Sequence, residues 1–247
     1  MKNLIKYEIR KTWHTKLILL TITLFAELAF LATLYLGSEE YNILTCVILY
    51  FLALGGILYI GIQSVVTMHQ DMNTKQGYML YMTPHSCYRI LGAKVLENGL
   101  SMLAAGAFFF ALGALDITLL MGHYGILEDL MRTIQEVMRQ LQMELQLNAP
   151  TFIALTVAFL TGWLSTVMIA YLADVISTCL LAGKKHNGFF SLLAFILISI
   201  LFSTLENACT GTLAWLPRLW WSSAISLAFA GIMYVVTAWL MDRHLSV

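Results

Sequence analysis

The chain has 247 residues, 60% of them hydrophobic and 11% charged, with no net charge and a mean hydropathy of +0.78. A soluble domain carries roughly 25% charged residues, so a water-covered surface is excluded over much of the chain and lipid is the expected solvent. The same scarcity of charge speaks against nucleic-acid recognition, which needs a concentrated basic face.

Residues 2–16 put Ile5, Ile9 and Trp13 on one helical face and Lys2, Lys6 and Arg10 on another. That pattern predicts a basic amphipathic helix lying in the membrane interface ahead of the first span. A helix needs roughly 20 apolar residues to cross the hydrocarbon core, and six stretches qualify. They are Leu17–Leu36, Ile43–Met68, Val95–Met121, Thr151–Ala173, Phe189–Leu205 and Leu219–Met241. No apolar stretch is followed by a small-residue cleavage site, so no removable signal peptide is expected. One membrane domain over 1–247 is the expectation, since no linker-like or low-complexity run divides the chain.

Three inter-span segments carry information. Residues 69–94 form the longest loop on one side; Pro84 disfavours helix before it, and Tyr78 and Tyr81 stand among Asp71, Lys75 and Arg89. Aromatics beside fixed charges suit a protein-facing surface. Residues 123–150 lie on the other side. Leu127, Met131, Ile134, Met138, Leu141 and Leu145 repeat with helical spacing there, which predicts an external amphipathic helix. The fourth span is expected to run on to about Ala182 and to turn between Gly183 and Gly188, with Asp174 at the interface.

Orientation follows from the basic residues. Lys2, Lys6, Arg10, Lys11, Lys16, Lys75, Arg89, Lys94, Lys184, Lys185 and Arg243 fall on one side of the six-span arrangement, and only Arg132, Arg139 and Arg218 on the other. Both termini are therefore expected in the cytoplasm. Trp215, Trp220 and Trp221 bracket the outer start of the sixth span, where amphipathic rings favour the headgroup layer.

Within the spans, Glu27 is the one ionisable residue near a centre, where a carboxylate costs on the order of 2.5–3.5 kcal/mol by insertion scales. It should face the bundle or a wet cavity, either as a packing hydrogen bond or as part of a translocation path. Glu97 and Asp116 lie nearer the two ends of the third span and are assigned to interfaces. Gly99, Gly106 and Gly113 recur every seven residues and predict a seam of close helix approach. Cys46, Cys87, Cys179 and Cys209 form no CxxC pair and read as small apolar fillers. The six histidines show no i, i+4 pair, so no metal site is expected on one helix. The chain has no phosphate-binding GxxxxGK[ST], no HExxH, no GxSxG within a span and no paired intramembrane carboxylate set suited to proteolysis. Catalysis by this chain is not expected, and neither is a bound cofactor.

The order of parts resembles the bacterial ABC type-2 permease family: a basic amphipathic elbow, six spans and a long cytoplasmic loop between spans two and three. The loop text carries most of the likeness: Asp71 … Lys75-Gln76-Gly77 … Met82-Thr83-Pro84 … Arg89-Ile90-Leu91-Gly92-Ala93-Lys94. It is similar to the family's run of an acidic residue, Gly-Leu-x-Pro, then Arg or Tyr, Ile-Leu and Lys. Lys184-Lys185-His186 also resembles the family's second cytoplasmic loop. His85-Ser86-Cys87 departs from the usual pattern, as does the length of the external helix, and the substrate stays open.

The resemblance implies an all-α integral protein of the bacterial cytoplasmic membrane, with six transmembrane helices, an elbow helix and an external amphipathic helix. It implies a separate ATP-binding-cassette ATPase subunit that binds ATP and Mg, and a second permease copy, identical or related. Peptides, lipids, antibiotics and other amphipathic compounds are the implied cargo, usually exported. Asp71, Lys75, Gly77, Tyr78, Pro84, Arg89 and Lys94 are the implied coupling residues: Asp71, Gly77 and Tyr78 as ATPase contacts, Pro84, Arg89 and Lys94 as anchors of the segment. Glu27 is the candidate for the translocation path. Two other classes fit six spans. A substrate-capturing subunit of a vitamin-type importer would carry an Ala-x-x-x-Ala docking face and lack the long loop. A structural or signalling membrane protein would bind no ATPase.

Overall fold

The computed structural model describes residues 2–36, 39–73, 86–124, 132, 136, 139, 149–180 and 187–244. All regular structure among them is helical. Six long helices run as α1 (Lys2–Leu36), α2 (Glu39–Asn73), α3 (Cys87–Tyr124), α4 (Ala149–Leu180), α5 (Asn187–Thr210) and α6 (Trp215–His244). Each contains a stretch long and apolar enough to cross a membrane. The large side chains they leave exposed, among them Phe25, Phe51, Phe110, Phe159 and Ile232, need an apolar solvent. In α5 no residue of the most apolar stretch is buried. These features fit a multi-pass membrane protein.

The helices outrun the apolar stretches that announce them. α1 has 35 residues, about 50 Å at ~1.5 Å per residue, against a hydrocarbon core of about 30 Å. Nothing between Lys2 and Leu36 is Gly or Pro, so no residue interrupts the ladder. The amphipathic segment expected at 2–16 is thus the first turns of the same helix as the first span, with no separate elbow element. Its buried side also differs. Leu4, Glu8 and Thr12 are buried, Ile5 and Ile9 half-buried, and Trp13 is 53% exposed. A buried carboxylate on α3, Glu97, draws the polar edge inward, because Thr12 Oγ1 donates to Glu97 Oε1 at 3.0 Å.

Two prolines and Gly211 mark helix ends. Pro150 and Pro217 occupy the first turns of α4 and α6, where a missing N–H leaves no helical hydrogen bond unmade. Gly211 follows α5, its N–H reaching the Asn207 carbonyl at 2.8 Å. The segment expected as a loop over 69–94 is helical through Asn73 and again from Cys87, and residues 74–85 lie outside the described residues. Of the expected external helix, Arg132, Glu136 and Arg139 are helical and exposed; the remainder of 125–148 lies outside the described residues.

Packing divides the chain into two units. The first takes in Lys2–Ile62 and Leu96–Leu145. It contains α1, most of α2 and most of α3. Its core is Phe30, Leu34 and Leu49, flanked by Leu112, Leu119, Leu120 and Tyr124. The second takes in Gln63–Val95 and Gln146–Val247, hence the end of α2, the start of α3, and α4 to α6. α4 is its axis and packs mainly on α6, then on α5. α4 is apolar nearly all round over 167–175, and such a helix is buried rather than amphipathic. Met168, Tyr171 and Val175 join Met68, Leu91, Ala238 and Met241 in the core.

Candidate functional site

In the second unit the last turns of α2, the first turns of α3 and the end of α4 assemble a buried polar cluster. Asp71 Oδ2 accepts from Lys94 Nζ at 2.5 Å, with the two side chains 5% and 3% exposed. Asp71 stands in the last turn of α2 and Lys94 two turns into α3, and the pair ties together the two arms that bracket residues 74–86. Beside it, His69 Nδ1 and Asp174 Oδ1 meet at 2.5 Å and join α2 to α4. One turn earlier on α4, the Tyr171 hydroxyl shares a hydrogen bond of 2.5 Å with Ser64. On the other side of the same unit, Tyr234 of α6 donates to the backbone carbonyl of Tyr88 at 2.5 Å. The Ser177 hydroxyl donates to the Asn187 carbonyl at 2.7 Å, and the Asn187 amide donates to Thr178 at 3.2 Å. The ends of α2, α3 and α4 and the start of α5 are thereby cross-linked.

A buried ion pair satisfies both charges only while both partners stay in place. A displacement of one arm of the hairpin is therefore resisted by the other. That is mechanical coupling, and it needs no bound ligand.

Of the implied coupling residues, Asp71 and Lys94 come together, and Arg89 stands exposed on the first turn of α3. Lys75, Gly77, Tyr78 and Pro84 lie outside the described residues. Asp71, expected as a direct contact, is instead 4% exposed. Its carboxylate is turned onto Lys94, one of the three residues expected, with Pro84 and Arg89, to anchor the segment.

The first unit holds the intramembrane acid. Glu27 is not solitary: the Asp116 carboxyl of α3 is near enough to act on it electrostatically, and Glu27 Oε2 and Asp116 Oδ1 are both buried without a hydrogen-bond partner among the described residues. Asp116 lines a cavity of about 540 Å³ with Thr23, Cys46, Tyr50 and Phe109. Glu97 is likewise buried, accepting from Lys16 Nζ at 2.5 Å, while Lys16 also donates to Ser101 at 2.6 Å. None of these partners can be read from spacing, since they lie more than 80 residues apart on separate helices.

The glycine seam is corrected too. A Cβ added at Gly99, Gly106 or Gly113 meets nothing within 4 Å. The close approach is at Gly56 of α2, where a Cβ would stand 3.0 Å from the Phe109 ring and 3.2 Å from Leu19.

No protein-family model matches the chain, and no curated protein or solved structure is significantly similar to it.

Proposed function

We propose that the chain is the transmembrane permease subunit of an ATP-binding-cassette transporter of the bacterial cytoplasmic membrane. A separate ATPase subunit drives it, and a second permease copy completes the path. The observation that carries this reading is the buried Asp71–Lys94 pair, which binds both arms of the hairpin bearing the coupling-like sequence. A push delivered to residues 74–86 then reaches α2 and α3 together. Each conformational state must bind the nucleotide-loaded ATPase with a different affinity, or no work is transmitted. Arg89, with Lys75, Gly77 and Tyr78, offers the contact surface; Asp71, Lys94 and Pro84 hold the segment's shape. The termini are placed in the cytoplasm by the basic bias. Exported cargo of amphipathic character fits the apolar cavity beside Asp116, with Glu27 behind it.

The test is copurification of the partner ATPase, sought among ATP-binding-cassette proteins encoded near this chain, with a Tyr78→Ala, Arg89→Ala double variant, and with Gln135→Ala as control. Truncating interface anchors should weaken docking by about 1–2 kcal/mol each, while the permease still inserts. Unchanged docking and unchanged stimulation of ATP hydrolysis in the double variant would remove residues 69–94 as the coupling surface.

A further inference from the structure

α1 and α3 of the first unit leave a second cavity, about 360 Å³, walled by Leu19, Leu20, Leu100, Ala104 and Phe108 and reached by Trp13 and Lys16. Its walls are hydrocarbon, while its polar members stand at one end. Lys16 has three ammonium donors. Glu97 takes one at 2.5 Å and Ser101 a second at 2.6 Å, so the third is open to an acceptor outside the protein. Lys16 neutralises Glu97, so the charge that is left over comes from the preceding turns of the same helix. Lys6, Arg10 and Trp13 share one side at i, i+4 and i+7, and all three are exposed. An indole on the same side of a helix as two cations, itself lining an apolar groove, is the composition of a membrane interface.

We infer that this groove binds one anionic phospholipid, its acyl chain between α1 and α3 and its phosphate at Lys16, with Trp13 packed at the glycerol level and Arg10 and Lys6, on the preceding turns of α1, adding positive potential. The charge of the mouth selects the occupant. A zwitterionic lipid offers the same chain but returns a positive group to a site already rich in them. The site rests on the membrane character of the helices and not on the transport reading, so either stands if the other fails.

The experiment is native mass spectrometry of the full-length protein, delipidated and returned to nanodiscs of phosphatidylcholine with or without phosphatidylglycerol. The expected result is one retained phosphatidylglycerol, preferred over phosphatidylcholine. Cations near a membrane surface contribute about 1 kcal/mol each, so Lys6→Gln with Arg10→Gln should reduce that preference about 30-fold. Ala104→Trp fills the groove and leaves every cation in place; it should abolish retention, which diffuse charge attraction would not. Trp13→Ala, at an exposed position, is the second variant should Ala104→Trp fail to fold, and it should also lose the lipid. Added inorganic phosphate should not displace the lipid, because phosphate lacks the chain. Equal retention of the two lipids, retention undiminished in the folded groove variant, or displacement by phosphate alone would each overturn the site.

Discussion

Asp71 and Lys94 meet at 2.5 Å across the two helices that bracket residues 74–86, both side chains almost wholly buried. Removing one partner strands the other as a buried charge, which costs about 3–5 kcal/mol, whereas replacing both by apolar residues of similar size is often neutral. Asp71→Ala and Lys94→Ala should each lower the thermal unfolding midpoint of the detergent-solubilised protein. Asp71→Leu with Lys94→Met should recover most of the loss. Single variants as stable as the parent would mean the pair contributes nothing.

The nearness of Asp116 to Glu27 makes a different prediction from an isolated acid. Glu27→Gln keeps a donor and an acceptor opposite Asp116 and should change stability by no more than about 1 kcal/mol. Glu27→Leu leaves the Asp116 carboxyl without that neighbour, at about 1–3 kcal/mol. A solitary Glu27 would tolerate lysine poorly, but beside Asp116 a Glu27→Lys variant meets an opposite charge. It should therefore be rescued relative to Glu27→Lys with Asp116→Asn. Equal melting of these two lysine variants would dissociate the acids from one another.

Gly56 is the position where side-chain volume matters. Gly56→Leu must displace the buried Phe109 ring, and overpacking of this kind costs typically 1–3 kcal/mol. Gly106→Leu, facing open space in this chain, should leave the melting midpoint within error. The reverse order would restore the glycine seam of α3 as the packing surface.

Topology is checked by single cysteines in a background lacking Cys46, Cys87, Cys179 and Cys209. Arg89→Cys and Glu136→Cys are suitable, since both positions are exposed. With residue 89 in the cytoplasm and residue 136 outside, an impermeant thiol reagent added to intact cells should label only the second. Labelling of both would end the six-span orientation.

The spans were legible because twenty consecutive apolar residues have one physical meaning whatever surrounds them. Helix ends were less so: α1 reaches back to Lys2 and α3 to Cys87, since polar residues continue a helix that nothing breaks. Least legible were faces and pairs. Ile5, Ile9 and Trp13 form a regular apolar stripe, yet Thr12 and Glu8 are the buried side, because where lipid is the solvent an apolar residue gains little by turning inward. Polar groups gain more from burial there when a partner is waiting, as Glu97 is for Lys16. The Asp71–Lys94 pair joins two residues that the loop text had already set apart, but its burial depends on two helices extending past their apolar stretches, which composition does not report.

Asn187 has a consequence for how the polypeptide may be divided. It opens α5 while bonded to Ser177 and Thr178 at the end of α4, and α4 and α5 also pack along their lengths. Covalent continuity through residues 181–186 is then not what keeps those two helices together. Fragments 1–183 and 184–247, produced as separate polypeptides, should reassociate into one particle, and a reporter domain placed between Gly183 and Lys184 would ride on the assembly without prising it open.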